Sequence, residues 1–113
     1  GLDVESVGRD LSEDFLRGVF TLEEQELATK SGDGPTAILR FWCAKEAISK
    51  ALGTGIRFSP YDLRIRESDP ATGLLSIELL GAWAENFPQF YGQRIVIKTT
   101  ILFEHVIACC LLP

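Results

Sequence analysis

One stretch, residues 35–52, constrains the rest of this chain. It reads Pro-Thr-Ala-Ile-Leu-Arg-Phe-Trp-Cys-Ala-Lys-Glu-Ala-Ile-Ser-Lys-Ala-Leu. Its composition and spacing predict a helix. Gly34-Pro35 marks the start, because proline is tolerated at the first helical position. Gly53-Thr54-Gly55 marks the stop, because glycine accepts the left-handed backbone that closes a helix. At about 3.6 residues per turn, Ile38, Phe41, Ala44, Ile48 and Leu52 share one face, which is expected to be buried. Trp42, Glu46 and Lys50, four apart, stack on nearly the opposite side. A helix pinned by its apolar back then presents an aromatic ring, a carboxylate and an amine in a fixed row.

The other segments supply partners for that helix. Leu2-Asp3-Val4-Glu5 alternates, so a strand would turn Leu2 and Val4 one way and Asp3 and Glu5 the other. Ser12 can cap a short helix carrying Phe15, Leu16 and Val19 on one side. Thr21-Leu22-Glu23-Glu24 has the capping-box pattern of a second helix ending near Lys30, and residues 31–34 form a turn-rich break. After Gly55 the period changes from that of a helix to that of strands. Leu63 and Ile65 alternate with Arg64 and Arg66, residues 68–73 read as a hairpin loop, and Leu75, Ile77 and Leu79 return. Residues 81–90 suit a short helix broken before Pro88. Ile95, Ile97 and Thr99 predict a third strand after the break, and residues 105–112 a buried final one. The expected fold class is α+β, a mainly antiparallel sheet with helices packed on one face.

The length of 113 residues suits a single domain, 1–113. The chain contains no methionine and begins inside a predicted strand, so it is expected to be a piece of a longer polypeptide, or a chain whose leading tag lies outside the numbering. A net charge of -5 argues against general nucleic-acid binding, which needs a basic field. An acidic partner would need a local basic patch, for which Arg40, Lys45, Lys50, Arg57, Arg64 and Arg66 are the candidates. There is no signal peptide and no apolar run of the about 18 residues a membrane helix requires, so no membrane association and a cytoplasmic location are expected. Cys43, Cys109 and Cys110 lack metal-ligand or disulfide-framework spacing and are expected to be reduced, mostly buried thiols.

The chemistry rests on acids. Asp3 and Glu5 alone read as the solvent face of an edge strand. Glu46, on a helix face the core does not need, changes the balance. Two carboxylates about 4 Å apart repel by roughly 4 kcal/mol at an effective dielectric of 20, so three together call for a cation. Magnesium, which takes a few carboxylates and completes its shell with water and phosphate oxygens, fits this set better than zinc. Glu46 and Lys50 also form the ordinary exposed i,i+4 helix pair. Trp42 reads first as a packing residue, and His105, the only histidine, as a structural one.

The motifs carry a resemblance. Gly1-Leu2-Asp3-Val4-Glu5 resembles the Gly-x-Asp-x-Glu motif of the 4'-phosphopantetheinyl transferases. Trp42-Cys43-Ala44-Lys45-Glu46-Ala47, followed by Lys50, resembles their Trp-x-x-Lys-Glu-x-x-x-Lys motif. Residues 20–24 resemble the family's Phe-(Ser/Thr)-x-x-Glu segment, and residues 76–79 and the closing strand also have counterparts. The stretch 50–56 is similar to the short holo-acyl-carrier-protein synthases, which work as trimers. The Asp3-x-Glu5 pair and Trp42 are more like the second half of the larger surfactin-synthetase type, a pseudodimer. The Ser-His pair of that type's first half has no match in this sequence.

The resemblance implies transfer of phosphopantetheine from coenzyme A to a serine of an acyl or peptidyl carrier protein. It implies Mg2+ on Asp3, Glu5 and Glu46, with Glu46 as general base and Lys50 neutralising or protonating the departing phosphate. Trp42 and Lys45 would stand on the cofactor side, Lys45 contacting phosphate or fixing the helix. The carrier's acidic helix would dock near Arg40, Arg57 and Phe58. A partner half or homo-oligomer is implied as well. Two other readings stay open: a non-catalytic half that needs a partner, and another magnesium phosphotransferase or phosphohydrolase using the same acids.

Overall fold

A computed structural model of the chain describes residues 1–112. Five strands form one antiparallel sheet: β1 (Leu2–Ser6), β2 (Leu63–Asp69), β3 (Leu74–Leu79), β4 (Ile95–Leu102) and β5 (His105–Cys110). Their spatial order is β1-β5-β4-β3-β2, so β1 and β2 are the two edges. Helices α1 (Glu13–Val19), α2 (Leu22–Lys30) and α3 (Gly34–Ala51) precede the sheet's second strand, and α4 (Gly81–Asn86) joins β3 to β4. The α+β class and the antiparallel sheet are as expected from the sequence.

The predicted caps form where side-chain oxygens can reach free N–H groups. Ser12 accepts from Phe15, and Thr21 and Glu24 close a full capping box. The α3 start is set by Asp33, whose carboxylate accepts from the Thr36 N–H, with Pro35 inside the first turn. Gly73 closes the β2–β3 hairpin at positive φ, where a Cβ would overlap the Thr99 carbonyl oxygen. The final strand ends at Cys110 rather than continuing to residue 112.

The helix α3 is more deeply placed than its amphipathic pattern suggests. Phe41, Ala44 and Ile48 are fully buried, while Ile38 and Leu52 are only half-buried. Trp42, expected on the free side, is 8% exposed because Phe15 of α1 packs edge-on against it at 5.0 Å. The helix lies between β1 and β5 on one flank and α2 on the other, so residues around most of its circumference are covered. A single-face reading of a helix fails when a second layer closes over it.

The first strand is inverted in polarity. Leu2 and Val4 are 57% and 50% exposed, while Asp3 is only 5% exposed and Glu5 is half-buried. The acids face α3, and the apolar side chains face out. Solvent exposure of Asp3 and Glu5 as an ordinary edge-strand face is therefore ruled out by the way α3 packs over β1. Among the described residues, no helix is long and apolar enough to cross a membrane.

Candidate metal centre

Three carboxylates from two elements meet where β1 passes under α3. Asp3 and Glu5 lie on the inward face of β1, and Glu46 projects from the last half of α3. One oxygen from each lies within 4.8 Å of the other two. The close approach has a backbone cause: a Cβ at Gly1 would overlap the Ala47 carbonyl oxygen, so only glycine lets the strand start this near the helix. Cys43, on the same flank, shares its thiol between the Asp3 carbonyl oxygen at 3.2 Å and the Val106 carbonyl oxygen at 3.6 Å.

Two cations flank the acids. The Lys50 ammonium donates to Asp3 Oδ1 at 2.6 Å and to the Leu2 carbonyl oxygen at 3.3 Å. The Arg9 guanidinium donates to Glu5 Oε2 at 2.7 Å. The hydrogen bond to Asp3 holds the Lys50 ammonium above its usual range. The bond to Glu5 does the same for Arg9. Burial, then the charges of Asp3 and Glu5, push the Glu46 acid up to about 7, with Lys50 pulling the other way. Two cations thus fall short of making three ionised carboxylates comfortable.

Asp3 Oδ2 is buried and has no hydrogen-bond partner. A buried carboxylate oxygen left bare costs free energy, and a cation bound by Asp3, Glu5 and Glu46 would satisfy it. An all-oxygen donor set suits a hard divalent ion. The sequence-derived trio is thus brought together, with Lys50 beside it.

Lys45 is placed differently. Its ammonium is fully buried, 2.9 Å from Glu24 Oε2, and donates to the carbonyl oxygens of Val19 at 2.7 Å and Pro60 at 3.0 Å. It also sits 4.7 Å above the Phe20 ring. Burial pulls this ammonium down to about 8, opposed by Glu24. With all three donors spent on protein acceptors, Lys45 presents nothing to a phosphate. Trp42 is likewise packed against α1 rather than offered as an open shelf, although its indole N–H has no partner.

Of the residues expected to form a basic docking patch, Arg40 stands on α3, and Arg57 and Phe58 in the loop that follows it. Arg40 lies in the first half of α3 and donates to Thr99 Oγ1 at 3.0 Å. Arg57 follows the other end of the helix, and about 18 Å of helix axis separates residue 40 from residue 52. Phe58 packs edge-on against Trp83 at 5.1 Å. His105 lies on the exposed side of β5, its Nδ1 2.7 Å from the Phe103 carbonyl oxygen. Sequence reasoning missed Arg9, whose four-residue spacing from Glu5 falls in a loop and so has no periodic signature.

A family model described as the 4'-phosphopantetheinyl transferase superfamily matches residues 1–110. A holo-acyl-carrier-protein synthase of Cereibacter sphaeroides is 32% identical over 93 residues, covering 80% of this chain and 68% of that protein. A synthase of the same name from Fusobacterium nucleatum is 39% identical over 70 residues, covering 60% of this chain and 57% of its own length. Among solved structures, the holo-acyl-carrier-protein synthase of Helicobacter pylori in complex with coenzyme A aligns with a TM-score of 0.72, covering 96% of this chain and 94% of that one. The Neisseria meningitidis enzyme aligns with a TM-score of 0.69, over 96% and 91%. Both are 24% identical to this chain, and what they share with it is the fold.

Proposed function

The chain belongs to the 4'-phosphopantetheinyl transferase superfamily, and on that footing we propose that it transfers 4'-phosphopantetheine from coenzyme A to a serine of a carrier protein, with a magnesium ion held by Asp3, Glu5 and Glu46. The observation that carries this reading is the convergence of the three carboxylates within 4.8 Å around a bare Asp3 oxygen. Magnesium bound there would supply charge neutralisation for the diphosphate of coenzyme A.

The protein's own residues account for the remaining requirements. The carrier serine oxygen forms a bond to the pantetheine-side phosphorus, and the bond from that phosphorus to the bridging oxygen breaks. The leaving group is adenosine 3',5'-bisphosphate. Glu46 takes the serine proton, directly or through one water. General-base help of this kind contributes about 10²–10⁴-fold. Lys50, one turn along α3 and half exposed, neutralises or protonates the departing phosphate. Phosphoryl transfer depends on placement and charge more than on covalent participation, so a rigid helix carrying both groups is well suited to it. Lys45 serves by holding α3 rather than by touching phosphate.

A partner half or second copy belongs to this reading. Alternation places Leu2, Val4, Val96, Ile107 and Cys109 on the sheet face away from α3, and Leu2, Val4 and Val96 are exposed. Exposed apolar side chains on a face they share with Lys98, Thr100 and Ser76 favour association. The partner would also supply the coenzyme A contacts for which this sequence has no Ser-His pair.

The test is mass spectrometry of an apo carrier protein after incubation with coenzyme A, magnesium and the chain, with and without its partner half. Gain of one phosphopantetheine is the expected result. Release of inorganic phosphate without carrier modification would favour a phosphohydrolase. Sedimentation of the chain alone reports whether it self-associates.

A further inference from the structure

The transfer site depends on the rotation of α3 about its own axis. The flank that meets β1 is built of small groups: Ala47 and Ala51 lie against Gly1, and Cys43 lies under Asp3. Such a surface permits close approach but gives little resistance to turning. Side chains of a helix lie about 5–6 Å from its axis, so a rotation of about 15° would carry the Glu46 carboxylate roughly 1.5 Å. That distance is enough to loosen a shared set of ligands. Something on the opposite flank has to set the angle.

Lys45 projects from that opposite flank, two residues from both Cys43 and Ala47. Its three N–H donors are taken by α2, by the end of α1 and by the turn before β2. The carboxylate that receives it, Glu24, is 1% exposed and is fixed independently. Glu24 Oε1 accepts from the Thr21 N–H at 2.8 Å, closing the α2 cap. Glu24 Oε2 accepts from the Ile65 N–H at 2.9 Å. Since β2 is an edge strand, that oxygen occupies a donor with no neighbouring strand to bond. One carboxylate therefore ties the α2 cap, the β2 edge and the α3 ammonium into a single rigid point.

We propose that Glu24 is a positioning residue of the transfer site: through its buried pair with Lys45 it sets the rotation of α3 and so holds Glu46 opposite Asp3 and Glu5. Glu24 touches neither metal nor substrate. The inference rests on the metal reading given above.

The experiment is Mn2+ titration of the chain, free Mn2+ being read by electron paramagnetic resonance, with thermal melting alongside. Glu24→Gln keeps the shape and removes the charge. The double variant Glu24→Met/Lys45→Met removes both buried charges together, so no unpaired ion remains, while the Thr21 and Ile65 N–H groups and the Val19 and Pro60 carbonyl oxygens lose their partners; its melt is therefore recorded before its Mn2+ affinity is read. Both are expected to bind Mn2+ about tenfold more weakly while still melting cooperatively, the lower end of what altering a ligand's direct hydrogen-bond partner costs, because Glu24 acts on Glu46 only through Lys45 and the rotation of α3. Leu79→Ala, which opens a cavity in the core under the β2–β3 hairpin, supplies a variant of lowered melting temperature whose affinity is expected to stay within about twofold of wild type, since Leu79 is not one of the contacts that fix Glu24 and Lys45. A folded double variant that binds Mn2+ as tightly as wild type overturns the role of Glu24. So does a loss in Leu79→Ala equal to that in Glu24→Gln. Wild type that binds no Mn2+ overturns the metal reading instead.

Discussion

Replacing Glu46 by glutamine should stabilise the metal-free protein while removing its chemistry. Glu46 is half-buried, with Asp3 and Glu5 oxygens within 4.8 Å. Burial and those charges raise its acid from 4.5 to about 7. At about 1.4 kcal/mol per pH unit, the ionised form carries a penalty of roughly 3 kcal/mol. The side chain keeps contact with water, and screening reduces the figure to about 1–2 kcal/mol. The sign follows from proton binding. The folded chain holds this proton more tightly than the unfolded chain, so stability falls as pH rises from about 4.5 to about 7. Above that window the penalty is complete; at pH 5 only about a quarter of it has developed. Glu46→Gln removes the charge and keeps the shape. At pH 8 without metal the variant should melt about 4–8 °C above wild type, and at pH 5 the gain should shrink to about 1–2 °C. Millimolar magnesium should raise the wild-type melt at pH 8 and leave that of the variant unmoved. Differential scanning calorimetry at the two pH values, with and without magnesium, measures all four quantities. A variant that melts no higher than wild type at pH 8, or gains equally at both pH values, would refute the penalty that burial and the neighbouring acids place on ionised Glu46.

Other expectations follow from the same contacts. Gly1→Ala places a methyl group on the Ala47 carbonyl, and should cost about 1–3 kcal/mol in urea unfolding while weakening magnesium binding. Lys50→Ala leaves Asp3 with a second bare oxygen; because Lys50 is 49% exposed, stability should fall by no more than about 1 kcal/mol, while transfer to carrier protein falls far more. Of the three thiols, Cys109 is exposed, whereas burial pushes the Cys43 and Cys110 thiols up. An aromatic disulfide reagent should therefore find one fast thiol in the native chain and all three in denaturant.

Local periodicity made much of the fold legible. The run 35–52, the Thr21–Glu24 capping box and the alternation of Leu75, Ile77 and Leu79 all appear where their spacing placed them. The acids of the site were legible for a different reason: two short motifs resemble those of a family in which they meet, whereas no local spacing brings Glu46 to Asp3. Non-local features were not legible. The pattern of β1 says nothing about which face a helix will cover, and Asp3 lies under α3 while Val4 faces out. The helical pattern of α3 shows one apolar face, but Lys45 and Trp42 are buried by α1 and α2, elements whose docking no spacing within α3 reveals. Glu24 could be read as a cap, yet its second oxygen serves Ile65, 41 residues away. Arg40 stands on α3 and donates to Thr99, a tie that charge counted along the chain does not show.

The two margins of the sheet are treated unequally. Along β2, the Glu24 carboxylate of α2 takes the Ile65 N–H, which hinders strand addition at that point of the rim. Along β1 no strand lies beyond the rim; Lys50 takes only the Leu2 carbonyl oxygen, and the side chains next to the rim are Leu2 and Val4. Produced in isolation, the chain should be prone to strand addition and clumping at that margin. Soluble production would then call for lysine at position 2 or 4, which leaves the inward acids untouched.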